Sequence, residues 1–172
     1  ECGVPEKTAI CILADKEEIG SVGNTGLNSD FVKHVISDIA RAQNIEPEDA
    51  MRASQCLSAD VNAAVDPTFQ DVFEKKNASF LNYGVVITKY TGARGKSGSN
   101  DASAEYMGQI RAMLDNANVV WQIGELGKVD IGGGGTVALY IAGLGINTVD
   151  LGVPVLSMHA PFETVAKLDV FM

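Results

Sequence analysis

Glu17 and Glu18 stand side by side directly after an apolar run, Thr8-Ala9-Ile10-Cys11-Ile12-Leu13-Ala14, and just before Ile19-Gly20-Ser21. An apolar run of this length, bounded by polar residues and glycine, predicts a buried strand. The two carboxylates then lie just past its C-terminal end, where open α/β sheets bind ligands. Adjacent side chains in extended or turn backbone point different ways. One carboxylate can therefore hold a metal while the other faces a substrate. Two like charges placed there are unfavourable unless something offsets them.

Two further segments repeat the placement. Gln55-Cys56-Leu57-Ser58-Ala59-Asp60 is a short apolar run that ends on a carboxylate. Val153-Pro154-Val155-Leu156-Ser157-Met158-His159 ends on one of only two histidines in the chain. Taken singly, each is also what a solvated strand end looks like. Together, Glu18, Asp60 and His159 form an oxygen and nitrogen donor set suited to zinc or a related divalent ion. The expectation is that Glu17, Glu18, Asp60 and His159 converge on one edge of a sheet.

Asp15-Lys16-Glu17-Glu18-Ile19-Gly20-Ser21, Ser58-Ala59-Asp60 and Ser157-Met158-His159 resemble three motifs of the aspartyl aminopeptidase / aminopeptidase I family. Lys89-Tyr90-Thr91, Gly133-Gly134-Gly135-Thr136 and Asp150-Leu151-Gly152-Val153-Pro154 resemble its later blocks, in the same order. The resemblance implies a dinuclear zinc exopeptidase that hydrolyses the N-terminal peptide bond of peptides with a free amino terminus. It implies that Glu18 and His159 hold one zinc and Asp60 the other. Glu17 is then the general base, taking a proton from the attacking water and returning it to the leaving amine. Lys89, Gly134 and Thr136 are the implied substrate contacts, and a large homo-oligomer is the implied assembly. A different divalent ion, a deacylase on the same fold and a non-catalytic piece that keeps the motifs are the alternatives. The family's first histidine and bridging aspartate precede the glutamate pair, and the sixteen residues before Glu17 contain no histidine. The chain is accordingly expected to be one domain over residues 1–172, the C-terminal part of a catalytic domain, and to be inactive alone. Where some members carry histidines after the second aspartate, this chain has Val61-Asn62-Ala63-Ala64.

The elements that would position these residues alternate between strand and helix. Asn28-Ser29-Asp30 offers caps to a helix through about Ala42, with Phe31, Val35 and Ile39 and also Val32, Ile36 and Ala40 at i, i+4 spacing on one face. Pro47 opens a short second helix. Strands are expected over 55–60, 84–90 and 119–123, near 148–151 and over 155–157. Asn100 is the expected cap of a helix from Asp101 to about Asn116, buried through Met107, Ile110 and Leu114. A helix opening at Gly132–Gly135 is expected to end near Gly143, and a last one to run from Phe162 to Met172. The pattern is a three-layer α/β/α sandwich with a mixed, mostly parallel sheet, of the zinc-exopeptidase type.

Composition narrows the partners. The 172 residues carry a net charge of −9. Nucleic acid and anionic membrane both need a basic face, so neither is expected. The longest apolar stretch, near Val137–Ile146, is too short to span a bilayer. No export signal is visible, and Cys2, Cys11 and Cys56 lack CxxC spacing. Cys11 and Cys56 read as reduced core thiols in a cytoplasmic protein. The segment from Tyr90 to Ser97 nearly spells a phosphate loop, but tyrosine replaces its first glycine. Asp101 and Glu105 would also repel phosphate at the helix start. Lys89, Arg94 and Lys96 form a basic cluster that could meet the carboxylates of a peptide. The four glycines at 132–135 suit close approach of backbone to a ligand or a neighbouring strand. His34, with Asp38 one turn on, reads as a partly exposed polar contact.

Overall fold

A computed structural model describes residues 3–94, 97–98 and 100–172. Seven strands and five helices follow one another as α1 (Phe31–Ala42), α2 (Pro47–Arg52), β1 (Gln55–Ser58), β2 (Asn62–Ala63), β3 (Val85–Thr88), α3 (Ala104–Asn116), β4 (Trp121–Ile123), α4 (Ala138–Ala142), β5 (Asn147–Gly152), β6 (Pro154–Leu156), β7 (Thr164–Val165) and α5 (Lys167–Phe171). The main sheet has the order β1-β5-β3-β4 and the smaller one β2-β6-β7. β5 runs parallel to β1 and antiparallel to β3, and β3 runs parallel to β4. In the small sheet β6 is parallel to β2 and antiparallel to β7. Both sheets are therefore mixed.

Strand alternation sends successive β5 side chains to opposite faces. Val149 joins Ile87 and the α3 residues Tyr106, Met107, Ile110 and Leu114 in one apolar cluster. Ile146, just before β5, joins Leu27, Val32, Met51 and Ile141 in a second cluster built from α1, α2 and α4. Helices thus cover both faces of the sheet, which is a three-layer α/β/α arrangement. The buried stripe of α3 is the one its periodicity predicts. Its cap is Ser103, whose hydroxyl accepts from the Tyr106 N–H at 3.3 Å. Asn100 is instead buried and bonded through its backbone to Thr91. At the far end of the sheet, the buried Asp169 carboxylate accepts from the N–H groups of Asn82 (2.6 Å) and Gly84 (2.9 Å) and so ties α5 to the start of β3.

Several expectations need correction. Residues 8–14 form no strand; they are exposed throughout, Leu13 at 90%. A strand this apolar is stable only when both faces are covered and its ladder is paired. Among the described residues nothing does either, and the run instead borders a cavity beside β1 lined also by Cys56 and Leu57. Cys11 is accordingly exposed rather than a core thiol, while Cys56 is half-buried on β1. Cys2 lies outside the described residues. On α1, Val32 and Ala40 are buried and Ile36 is half-buried, whereas Phe31 and Val35 point outward. The two i, i+4 sets are offset by one residue, about 100° of helix, and only one of them meets the sheet. The segment 162–172 is a turn, the short strand β7 and α5, not one helix.

The packing predicts a clear contrast in the 172-residue chain. Ile87→Ala removes a fully buried side chain from the α3 cluster and should cost about 2–5 kcal/mol in urea unfolding. Val35→Ala, on the exposed face of α1, should change stability by less than about 0.5 kcal/mol. A comparable cost for both would mean that the outer face of α1 is covered.

Candidate active site

The glutamate pair sits on a tight turn, not at the end of a strand. The Gly20 N–H donates to the Glu17 carbonyl at 2.9 Å, and the Ser21 N–H donates to the Lys16 carbonyl at 2.8 Å. Lys16 and Ser21 adopt left-handed φ of +59° and +54°. Such conformations persist in non-glycine residues only when the surroundings hold them. The surroundings here are specific. The Ser21 carbonyl accepts from Asn28 N–H at 3.0 Å, and the Gly20 carbonyl accepts from the Tyr140 hydroxyl on α4 at 3.0 Å.

Asp60 lies two residues past β1, with its carboxylate accepting from the Val61 N–H at 2.8 Å. His159 lies past β6 in a second left-handed turn, with Ser157 at φ +60° and His159 at +67°. The Glu163 carboxylate accepts the His159 N–H at 2.5 Å and pins this turn. His159 Nδ1 comes to 3.6 Å from Glu18 Oε1.

Glu17, Glu18, Asp60, Gly134, Thr136 and His159 all line one cavity of about 440 Å³. Val61, Val72, Phe73 and Leu126 add an apolar part to its wall. The convergence expected from sequence is therefore present. Glu163 and the apolar wall carried no signal in the sequence beyond an acid four residues after the histidine. Lys89 does not line the cavity; its ammonium pairs with the Asp101 carboxylate. Arg94 is exposed, and Lys96 lies outside the described residues. The near-phosphate loop closes on itself through an Ala93–Ser97 bridge, and Asp38 pairs with Arg41 rather than His34.

The glycine run is irregular backbone, not the start of a helix; α4 begins only at Ala138. Gly133 shows why glycine is needed. Its φ is +106°, and a Cβ there would come within 2.5 Å of the Gly92 carbonyl oxygen. The Gly92 N–H donates to the Gly134 carbonyl at 2.8 Å. The close approach is thus to neighbouring backbone, and it frees the next residues to face the cavity.

The electrostatics follow from crowding. Burial raises the Glu17 pKa, with the Asp60 and Glu18 charges adding and His159 opposing. Burial also raises the Asp60 pKa, against its bond from Val61 and with the Glu18 charge adding. Below them Asp150 on β5 is 3% exposed. Burial pushes its carboxyl up to about 6, with the nearby Ser58 and Thr136 hydroxyls opposing and the Asp60 charge adding. Its Oδ2 accepts from the Thr136 hydroxyl at 3.0 Å.

Among the described residues, no three His, Cys, Asp or Glu side chains enclose a metal ion. The donors present still fit a divalent cation. Glu18 and His159 offer one oxygen and one nitrogen face to face, and three carboxylates share one cavity, where burial and neighbouring charge raise the pKa of Glu17 and of Asp60. A cation there relieves the repulsion that raises them.

Taken together, the three-layer mixed-sheet fold and a cavity of carboxylates and one imidazole, carried on turns and on segments just past β1 and β6, define a metallohydrolase type of architecture. Comparison with known proteins agrees. A sequence model described as aminopeptidase I zinc metalloprotease (M18) matches residues 3–172, and the chain belongs to this family. A probable M18 family aminopeptidase 1 of Borreliella afzelii (strain PKo) is 47% identical over 174 residues, covering 98% of this chain and 38% of that protein. The crystal structure of an M18-family aminopeptidase from Thermotoga maritima superposes with a TM-score of 0.85 at 44% identity, over 92% of this chain and 36% of that one. Aminopeptidase I from Clostridium acetobutylicum gives 0.81 at 47% identity, over 91% and 34%. The chain spans 38% of the length of the Borreliella relative.

Asp150 generates a pH prediction. Its folded pKa of about 6 lies above the ordinary 3.8, so between those values the folded state binds more protons than the unfolded one. Stability contributed by the neutral carboxyl is complete below about pH 4 and is lost as pH rises through 6. Asp150→Asn, which keeps an acceptor for Thr136, should match wild type in melting temperature near pH 4. It should exceed wild type increasingly from pH 5 to 7. Parallel melting curves across that range would show that Asp150 stays ionised in the fold.

Proposed function

We propose that the complete protein is a zinc-dependent aminopeptidase that removes the N-terminal residue of peptides with a free amino terminus. The observation that carries this reading is the convergence of Glu17, Glu18, Asp60 and His159, from three separate segments, on one cavity in a chain of this family. Glu18 and His159 would hold one ion and Asp60 would contribute to the other. Bound zinc supplies a Lewis acid that polarises the scissile carbonyl and makes the attacking water more acidic.

Glu17 lies in the same cavity, and among the described residues its carboxylate accepts no side-chain hydrogen bond. It takes a proton from the attacking water and returns it to the departing amine. A raised pKa suits this, because a base must also give the proton back near neutral pH. Thr136 and Gly134 line the floor on which the substrate backbone would rest. Lys89 contributes to peptide binding in this reading only after exchanging its Asp101 partner. The 172 residues would be one domain, the C-terminal part of the catalytic domain of a large cytoplasmic homo-oligomer. The acidic chain and its acidic cavity support a peptide substrate rather than nucleic acid or a membrane surface.

The test uses the complete protein. Glu17→Gln should retain its zinc and lose about 10²–10⁴ of its turnover of an aminoacyl substrate. Glu18→Gln and His159→Ala should lose zinc together with activity. Zinc analysis showing Glu17→Gln stripped and Glu18→Gln fully loaded would exchange the two roles. Full turnover by Glu17→Gln would end the reading.

A further inference from the structure

We infer that Gly152, at the end of β5, is the positioning residue that sets where Asp60 stands in the cavity. This rests on the metal reading given above. Gly152 has no side chain to offer, and its effect is steric. A Cβ at this position would fall 1.5 Å from the Asp60 carbonyl oxygen, 2.5 Å from its carbonyl carbon and 3.3 Å from Val61 N. Real Cβ contacts do not approach below about 3 Å, so any other residue must push the Asp60 backbone away.

The neighbouring bonds leave that backbone little freedom. The Asp60 N–H donates to Ser58 at 3.1 Å, and the Asn62 N–H donates to the Val153 carbonyl, next to Gly152, at 2.9 Å. The Asp60 carboxylate is oriented by Val61 N–H at 2.8 Å. Beyond the turn, buried Asn62 is fixed by bonds to Thr88 and from Ser79, both 2.9 Å. The turn from 60 to 62 is thus pressed onto the β5–β6 junction from one side and bonded to it from the other. The same short strand carries Asp150 two residues earlier, bonded to Thr136, which also lines the cavity.

The consequence is selective. Displacing this turn moves Asp60 but leaves Glu18 and His159, which sit on turns held by Tyr140, Asn28 and Glu163. In the complete protein, dialysed against buffered zinc, wild type should hold two ions per chain and Gly152→Ala one. Excess zinc should restore part of the activity, and the melting temperature without metal should remain cooperative. A merely structural role would lower both ions and the fold together, and that result would overturn the inference. So would a Gly152→Ala protein that holds two ions with wild-type affinity. Wild type holding fewer than two ions would overturn the metal reading itself, and this inference with it. Should Gly152→Ala fail to fold, Val61→Gly loosens the same turn without adding an atom. It should weaken one ion by about 10–100-fold and spare the other. Unchanged affinity for both would overturn the role assigned to Gly152.

Discussion

β5 is the strand on which the rest of the molecule is assembled. It is hydrogen-bonded on both edges, parallel to β1 and antiparallel to β3. Apolar clusters lie on both of its faces: Val149 belongs to the α3 cluster, and Ile146, just before the strand, belongs to the cluster of α1, α2 and α4. A strand enclosed in this way cannot shift by one residue without exchanging every side chain between layers. Its register therefore sets the height of everything built on its C-terminal end. That end carries Asp150 beneath the cavity and Gly152 against Asp60. It continues through β6 into the turn that presents His159.

What β5 positions is electrostatically expensive. Glu17, Glu18 and Asp60 share a cavity of about 440 Å³, and Asp150 is buried below them. Burial is the leading cause of every raised carboxyl pKa in this cluster, and the mutual repulsion of the carboxylates adds to it. Backbone geometry helps to keep such a cluster in place. Four non-glycine residues in left-handed conformation, Lys16, Ser21, Ser157 and His159, occur in the two turns that carry the glutamate pair and the histidine. Strain of this kind collects at functional sites, where surrounding bonds over-determine the backbone.

The outer surfaces follow a different rule. Residues 8–14, Phe31 and Val35 on α1, and Phe162 and Phe171 near α5 are apolar and largely exposed. Exposed apolar side chains in such number mark surfaces suited to association. The cavity between residues 10–14 and β1 is bordered mainly by apolar groups, with Glu17, Ser58 and Asp60 also in its lining. That surface and the metal-type cavity therefore share a wall.

Much of this was legible in the sequence, and for definable reasons. The helix at 104–116, the strands at 85–88, 121–123 and 147–152, and the proline that opens α2 all follow from side-chain periodicity and backbone chemistry, which are local. The site residues were legible because each stands where an apolar segment meets polar chain, and chemistry of that type is visible without coordinates. Tertiary structure alone decided the rest. Periodicity could not say which of two overlapping stripes on α1 meets the sheet. Apolarity could not say that residues 8–14 would lack a partner, since a strand is completed by its neighbours. Nor could spacing show that Lys89 is engaged by Asp101, or that Asp150 lies under the cavity. The bare glycine of Asp150-Leu151-Gly152 reads as an ordinary strand end. Its meaning appears only when the Asp60 carbonyl, ninety-two positions earlier, is found where its side chain would be.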